Sequence, residues 1–264
     1  MSCSCSRRAS RTSAEALPGK MKYGILGDVH ANASALEAAL QGLADADVDL
    51  ALSVGDVVGY GAAPAACISL LREHGVSVVL GNHDQATAQD GALLGFNPAA
   101  AAAIAWTRTQ LSRADRAWLG ELPLVLSFDH AQLAHGSVIE PADFPYVFAS
   151  EDAEPGLDAL TRPLCFIGHT HMPGTFLRTV HDPVRTAFSR DTFVDLSEIE
   201  AAIANVGSVG QPRDGDPRAA YAVFDSDKRT LRLERASYDV EREAARIAAA
   251  GLPASLAERL LIGH

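Results

Sequence analysis

Apolar positions along the chain form short runs that alternate with amphipathic stretches. From Lys22 onward, Tyr23 to Val29 reads as a strand, and Ser34 to Leu43 sets Leu36, Ala39, Leu40 and Leu43 at helical spacing. Leu50 to Val54 is a second strand, Pro64 to Glu73 a second helix and Val76 to Leu80 a third strand. Alternation of this kind predicts right-handed crossovers and a largely parallel sheet. In such sheets ligands sit at the carboxyl ends of the strands.

Gln85 to Leu122 interrupts that rhythm with a long helical stretch. It contains the alanine run Ala99 to Ala103, Trp106 and Trp118, and divides near Leu111-Ser112-Arg113. The two tryptophans are read as packing this insert, at about 85–122, onto the domain; the alternative is that the insert roofs a site and selects its substrate. Leu124 to Phe128 and Ala131 to Ala134 predict a hairpin, Glu151 to Leu160 a helix and Leu164 to Ile167 a strand. Short strands follow at Thr175 to Val180, Thr192 to Leu196, Ala220 to Phe224 and Thr230 to Ala236, with Asp225-Ser226-Asp227-Lys228 turning between the last two. Val240 to Ala250 is a helix, and a short tail ends in Leu260-Leu261-Ile262.

Neither an internal repeat nor a linker divides 21–264, which reads as a single domain. Residues 1–20 are rich in Ser and Arg and carry no acid until Glu15. A disordered arm, with the fold beginning at Met21, suits them better than a transit peptide.

Composition narrows the partners. The chain has 264 residues, is 48% hydrophobic and carries a formal net charge of -11. An acidic surface disfavours a nucleic-acid polymer, so a phosphate ligand must be held by something local, such as metal ions. The four cysteines form no disulfide framework: Cys67 and Cys165 lie in apolar segments, and Cys3-Ser4-Cys5 is an isolated terminal pair. There is no apolar run of about 18 residues to span a membrane, and a cytoplasmic location is expected.

The chemistry lies just after the apolar runs. Gly27-Asp28-Val29-His30, Gly55-Asp56, Gly81-Asn82-His83-Asp84, His135-Gly136 and Gly168-His169-Thr170-His171 each place a glycine and a metal-ligating side chain at the end of a predicted strand. Asp, His and Asn without cysteine suit divalent Mn, Fe, Zn or Ni rather than an iron-sulfur or structural zinc centre. Seven such residues are too many for one ion, but fit two ions sharing a carboxylate. Two divalent ions bring four positive charges, and Asp28, Asp56 and a bridging hydroxide remove three. The site stays net positive, which favours a phosphate ester over a neutral amide.

Together the blocks Gly27-Asp28-Val29-His30-Ala31-Asn32, Gly55-Asp56-Val57-Val58-Gly59-Tyr60-Gly61, Gly81-Asn82-His83-Asp84, His135-Gly136 and Gly168-His169-Thr170-His171 resemble, in order, those of the calcineurin-like metallophosphoesterases. Asn205-Val206-Gly207-Ser208-Val209-Gly210-Gln211-Pro212-Arg213 is similar to small microbial phosphodiesterase-type members. The resemblance implies an α/β fold, a four-layer αββα sandwich of two mixed sheets flanked by helices. It implies that Asp28, His30, Asp56 and His171 hold one ion and Asp56, Asn82, His135 and His169 the second, with Asp56 bridging. The two ions would be manganese, iron, nickel or zinc. His83 becomes the expected general acid; Asn32, Asp84 and Arg213 become outer or substrate-contact candidates.

The implied reaction is hydrolysis of a small phosphodiester or nucleotide by a metal-bridging hydroxide. A phosphomonoesterase or protein phosphatase is the alternative, as is a catalytically silent scaffold of the same fold. Where the protein-phosphatase branch reads Asp-Arg-Gly after the bridging aspartate, this chain has Gly59-Tyr60-Gly61. It lacks the acid that orients the catalytic histidine there, so what orients His83 is left open. A recombination-type nuclease would need capping domains and a basic surface. The loop Asn205 to Arg213 reads either as a phosphate cradle or as a tight turn between strands, the turn being preferred.

Overall fold

A computed structural model describes residues 20–264, so the arm expected over 1–20 lies, apart from Lys20, outside the described residues. Lys22–Leu26 (β1) is central because its alternate side chains meet two different apolar layers. Tyr23 and Ile25 enter the core between two sheets, while Leu26 packs under Ala33–Asp45 (α1). α1 lies so close that a Cβ on Gly24 would stand 2.6 Å from the Leu43 side chain.

Leu50–Ser53 (β2), Pro64–Glu73 (α2) and Ser77–Val78 (β3) continue the alternation, and β1, β2 and β3 are parallel. Asn82–Ala88 (α3), Pro98–Gln110 (α4) and Arg113–Gly120 (α5) occupy the region read as a helical insert. Val125–Ser127 (β4) and Ala131–Ala134 (β5) pair as the expected hairpin. Ser150–Ala159 (α6) precedes Leu164–Ile167 (β6), Gly174–Thr179 (β7), Asp182–Ser189 (β8), Phe193–Asp195 (β9), Ile199–Asn205 (β10), Ala219–Asp225 (β11) and Thr230–Ala236 (β12). Val240–Ala249 (α7) and Ala254–Ile262 (α8) follow.

The strands form two six-stranded sheets, ordered β3-β2-β1-β11-β12-β9 and β4-β5-β6-β10-β7-β8. A largely parallel sheet is therefore corrected to two mixed sheets: only β1/β2/β3 and β5/β6/β10 are parallel sets. Phe166, Ile25, Leu133 and Leu231 are fully buried in the layer between the sheets. α1 and α2 cover the first sheet and α6 the second, giving the αββα layering that the resemblance implies. Truncating a leucine of the central layer to alanine would cost about 2–5 kcal/mol.

Three elements escape the sequence reading: β8, β10 and α8. A smaller apolar cluster joins α4 to α7, α8 and Tyr60 through Ala100, Ala103, Ile247, Leu252 and Leu260, with Trp106 packed against it. Trp118 packs into the cluster beneath α1 and α2. Cys67 and Cys165 are buried and free. Among the described residues no helix is long and apolar enough to cross a membrane.

Candidate metal centre

Five strands end in loops that face one another. β1 runs into Asp28 and His30, β2 into Asp56, β3 into Asn82 and His83 at the start of α3, β5 into His135, and β6 into His169 and His171. Parallel pairing puts these ends at one edge of each sheet. The His169 N–H, donating to both Asp28 carboxylate oxygens at 3.1 and 3.0 Å, joins the two edges.

The backbone here is strained. Of eleven non-glycine residues with positive φ among the described residues, seven are Asp28, His30, Ala31, Asp56, Tyr60, His169 and His171. Each costs on the order of 1 kcal/mol, and such residues persist only where surrounding contacts over-determine them. Here the N–H groups of Asp28, His30 and Ala31 donate to the carbonyls of Gly55, Asp56 and Val57 at 3.0, 2.9 and 2.9 Å. The Ser208 hydroxyl donates to the Asp28 carbonyl at 2.7 Å, and the Gly210 N–H to the same oxygen at 2.9 Å. A Cβ on Gly210 would fall 1.8 Å from the Val29 carbonyl oxygen. The loop after β10 is thus a brace against the Asp28 turn, and the N–H groups of Val206, Gly207, Val209, Gly210, Gln211 and Arg213 are spent on backbone carbonyls and the side chains of Asn205 and Ser208 rather than on a phosphate cradle.

The histidines have the ring orientation that a metal ligand needs. Nδ1 of His30, His135 and His171 lies 3.2, 2.8 and 2.6 Å from the carbonyl oxygens of Val58, Val54 and Gln211. A carbonyl only accepts, so these partners assign the hydrogen to Nδ1 and the lone pair to Nε2. The lone pairs converge: His30 Nε2 is 3.0 Å from His171 Nε2, and His135 Nε2 is 3.0 Å from His169 Nδ1. Facing lone pairs at that distance repel unless a cation or proton lies between them.

Ligand atoms of Asp28, His30 and His171 lie within 4.8 Å of one another, and those of Asp56, His135 and His169 form a second group. Asn82 Oδ1, 3.2 Å from His135 Nε2, adjoins the second. Asp56 Oδ2 stands between them, 3.6 Å from His30 Nε2 and 3.4 Å from His135 Nε2. All seven residues that the sequence assigns to metal are therefore brought together, in groups that could hold divalent metal. His30, Asp56 and His83 form a third, overlapping group.

Burial pushes the Asp28 carboxyl up to about 7, aided by Asp56. Burial also depresses His30, His171, His169, to about 3, and His83, to about 4. At Asp56 and His135 burial is outweighed by their mutual attraction, which holds Asp56 well below the usual carboxylate range and lifts His135 to about 9. The proton on His135 stands where a cation would, in a space rich in neutral nitrogen donors and one firmly ionised carboxylate.

The remaining candidates have different settings. Asn32 caps α1 by accepting from the Ala35 N–H at 3.0 Å, and its amide donates to the Gly210 carbonyl and the Tyr238 hydroxyl. Asp84 accepts from the N–H groups of Val58 and Gly81 at 3.1 and 3.3 Å, clamping two ligand loops together. Arg213 adjoins the centre, its N–H donating to the His171 carbonyl at 3.2 Å. The N–H of His83 donates to Asp56 Oδ1 at 2.9 Å.

The His83 ring is enclosed by Tyr60, His30 and Phe96, at centroid distances of 4.5, 4.9 and 5.2 Å. Rings, rather than a carboxylate, orient it. Tyr146 stacks on His169 at 3.8 Å. Tyr60 lies within a quoted motif without an assigned role; Phe96 and Tyr146 carry no signal in the sequence. Beside His83 and His169 is a cavity of about 410 Å³, walled in part by Gln85, Gln89, Phe96 and Asn97 from the helical region.

A model of the calcineurin-like phosphoesterase superfamily domain matches residues 21–229. The crystal structure of a metallophosphoesterase from Sphaerobacter thermophilus is 38% identical, with a TM-score of 0.81 over 93% of this chain and 100% of that one. An uncharacterized protein of Methanocaldococcus jannaschii is 31% identical over 257 residues, 93% of this chain and 99% of its own. A hypothetical protein from Pyrococcus horikoshii shares the fold, with a TM-score of 0.75 at 19% identity over 92% and 98% of the two chains. Since the matched span carries all seven convergent ligands and these relatives align over almost their whole length, the chain belongs to the calcineurin-like phosphoesterase superfamily, whose members are metal-dependent.

Proposed function

We propose that the protein hydrolyses a small phosphodiester at a pair of divalent ions held by Asp28, His30, Asp56, Asn82, His135, His169 and His171. The observation that carries this reading is Asp56 standing between two groups of inward-facing imidazole nitrogens. Such ions, when bound, supply a nucleophile from water near neutral pH and positive charge for the phosphoryl oxygens. Nitrogen and oxygen donors of this kind accept Mn, Fe, Ni or Zn.

The chain's own residues do the rest. In hydrolysis water adds to phosphorus and the bond to the leaving oxygen breaks; His83, neutral in the free site, takes up a proton when the anionic phosphoryl group lies beside it and donates it to this oxygen. Tyr60 and Phe96 hold the imidazole in place for that transfer, and Asp56 fixes the backbone that carries it by accepting from the His83 N–H. The neighbouring cavity has mainly aromatic and amide walls, its one arginine, Arg108, donates to the carbonyls of Ala86 and Gly91, and Asp143 adds negative charge, which suits an organic leaving group better than a second phosphoryl charge. An ester with organic substituents is favoured accordingly.

The test is hydrolysis of bis-p-nitrophenyl phosphate beside p-nitrophenyl phosphate by metal-stripped protein restored in turn with Mn, Ni, Zn and Mg. Metal-restored activity favouring the diester is expected. Preference for the monoester overturns the diester assignment, and no turnover at two bound equivalents points to a silent scaffold. His83→Ala should lower turnover by about 10²–10⁴-fold with metal content unchanged. Equal loss of both would make His83 a ligand of the third group instead.

A further inference from the structure

We propose that a second cavity at this centre receives the retained arm of the substrate, and that this arm carries an aromatic ring and an additional anionic group. The inference rests on the phosphodiesterase reading above and extends it. The cavity, of about 540 Å³, lies across the His169-Thr170-His171 loop from the one beside His83. Thr170 lines it, whereas His169 lines the first. Tyr146 and Phe148, stacked at 5.3 Å, repeat the division, one in each wall. A phosphodiester has two arms, and a cavity on each side of the metal ligands accommodates both.

Its chemistry inverts that of the whole molecule. The chain carries a formal charge of -11, yet Arg190, Arg213 and Arg235 line this cavity against a single acidic side chain, Asp214, which pairs with Arg235. Among the described residues Arg190 and Arg213 have no carboxylate partner. Arg190 lies over the Phe188 ring at 5.9 Å; Arg213 lies over the Tyr60 ring at 5.8 Å and donates to Gln211 Oε1 at 3.0 Å. Nε of Arg213 is buried without an acceptor. Its backbone N–H donates to the His171 carbonyl at 3.2 Å, so the guanidinium belongs to a residue tied to the ligand loop itself.

A guanidinium left unpaired beside a centre that becomes more positive on taking up metal is repelled by it. An anion placed between them removes both the repulsion and the missing hydrogen bond. Phe148 and Phe188, 60% and 44% exposed, offer ring faces on the same wall. Cation and aromatic surface together fit a nucleotide-like arm bearing a further phosphate.

The probes are the p-nitrophenyl ester of thymidine 5′-monophosphate and the same ester phosphorylated at the 3′ oxygen, which differ only in an anion on the retained arm. Metal-loaded wild-type protein is expected to show kcat/KM at least about tenfold higher for the phosphorylated ester, a preference that shrinks as salt is added. Arg190→Gln, at an exposed position, should cut that ratio at least about threefold, while Arg190→Lys retains most of it. Arg213→Gln should bring it near one.

Equal kcat/KM for the two esters overturns the inference while the diesterase reading stands. So does a preference that survives both glutamine variants, or hydrolysis confined to bis-p-nitrophenyl phosphate. If no diester is turned over with any ion, the phosphodiesterase reading fails and this inference with it.

Discussion

At Gly59 a side chain and the proposed general acid compete for one space. A Cβ there would lie 2.4 Å from His83 Nδ1, and the residue sits at a φ of +91°, where a side chain is strained in any case. Gly59→Ala should therefore displace the imidazole. Turnover is expected to fall at least about tenfold and stability by about 1–2 kcal/mol, while bound metal stays the same. Full activity in that variant would mean that His83 needs no fixed position. At this scale the candidate ligands were legible because few residue types bind hard metals and each lies near a glycine just after an apolar run. The aromatic frame was not, because Tyr60, Phe96 and Tyr146 resemble any packing ring until the chain is folded. Asn32 and Asp84 were legible as members of the motifs, but their hydrogen bonds go to backbone and a tyrosine, which spacing alone does not announce.

Among elements, the ones that carry ligands were the easiest to read and the ones that brace them the hardest. β1, β2 and β6 are short apolar runs ending in a motif. β10 reads Ile-Glu-Ala-Ala-Ile-Ala-Asn, and its alanines have low strand propensity; they are small because β10 lies between α6 and the opposing sheet. β8 begins with Asp182-Pro183, which reads as a turn, and exposes Val184 at the sheet's edge. α8 buries only Leu256 and Leu260, one helical turn apart, too little periodicity to distinguish it from a tail. The loop after β10 nonetheless holds the Asp28 turn in its left-handed conformation. Its buried Ser208 hydroxyl donates to the Asp28 carbonyl and accepts from the Gln211 N–H at 2.8 Å. Ser208→Ala should cost about 1–3 kcal/mol and weaken metal binding about tenfold or more, since Gln211 also supplies the carbonyl that orients His171. Thermal unfolding and a metal titration would read both; a stability loss with unchanged affinity would reduce the loop to a brace of the fold alone.

For the molecule as a whole, the two-sheet layering came from the resemblance; alternation of strand and helix alone gave a single parallel sheet. What the layering achieves is to bring buried acids and imidazoles from both sheets into one space, where protons and metal compete. In the metal-free protein His135 holds a proton up to about 9, because its attraction to Asp56 outweighs burial, whereas an unfolded histidine releases it near about 6.5. The folded chain therefore binds more protons than the unfolded one between those values, and stability contributed by His135 is present below about 6.5 and lost as pH rises through about 9. Asp28, raised to about 7 chiefly by burial, acts in the same direction over a lower window, from about 4 to 7. His30, His83, His169 and His171 are depressed, so they are neutral in both states above pH 7 and leave that upper window to His135. Metal-free protein should then lose stability between pH 7 and 9, by at most about 1.4 kcal/mol per pH unit. Metal-loaded protein, whose ligands have already given up their protons, should change little, and apparent metal affinity should rise across the same interval. Thermal unfolding with and without chelator at pH 7, 8 and 9 measures the gap between the two forms. A widening gap is the expected result; a gap that narrows would take His135 Nε2 out of the ligand set.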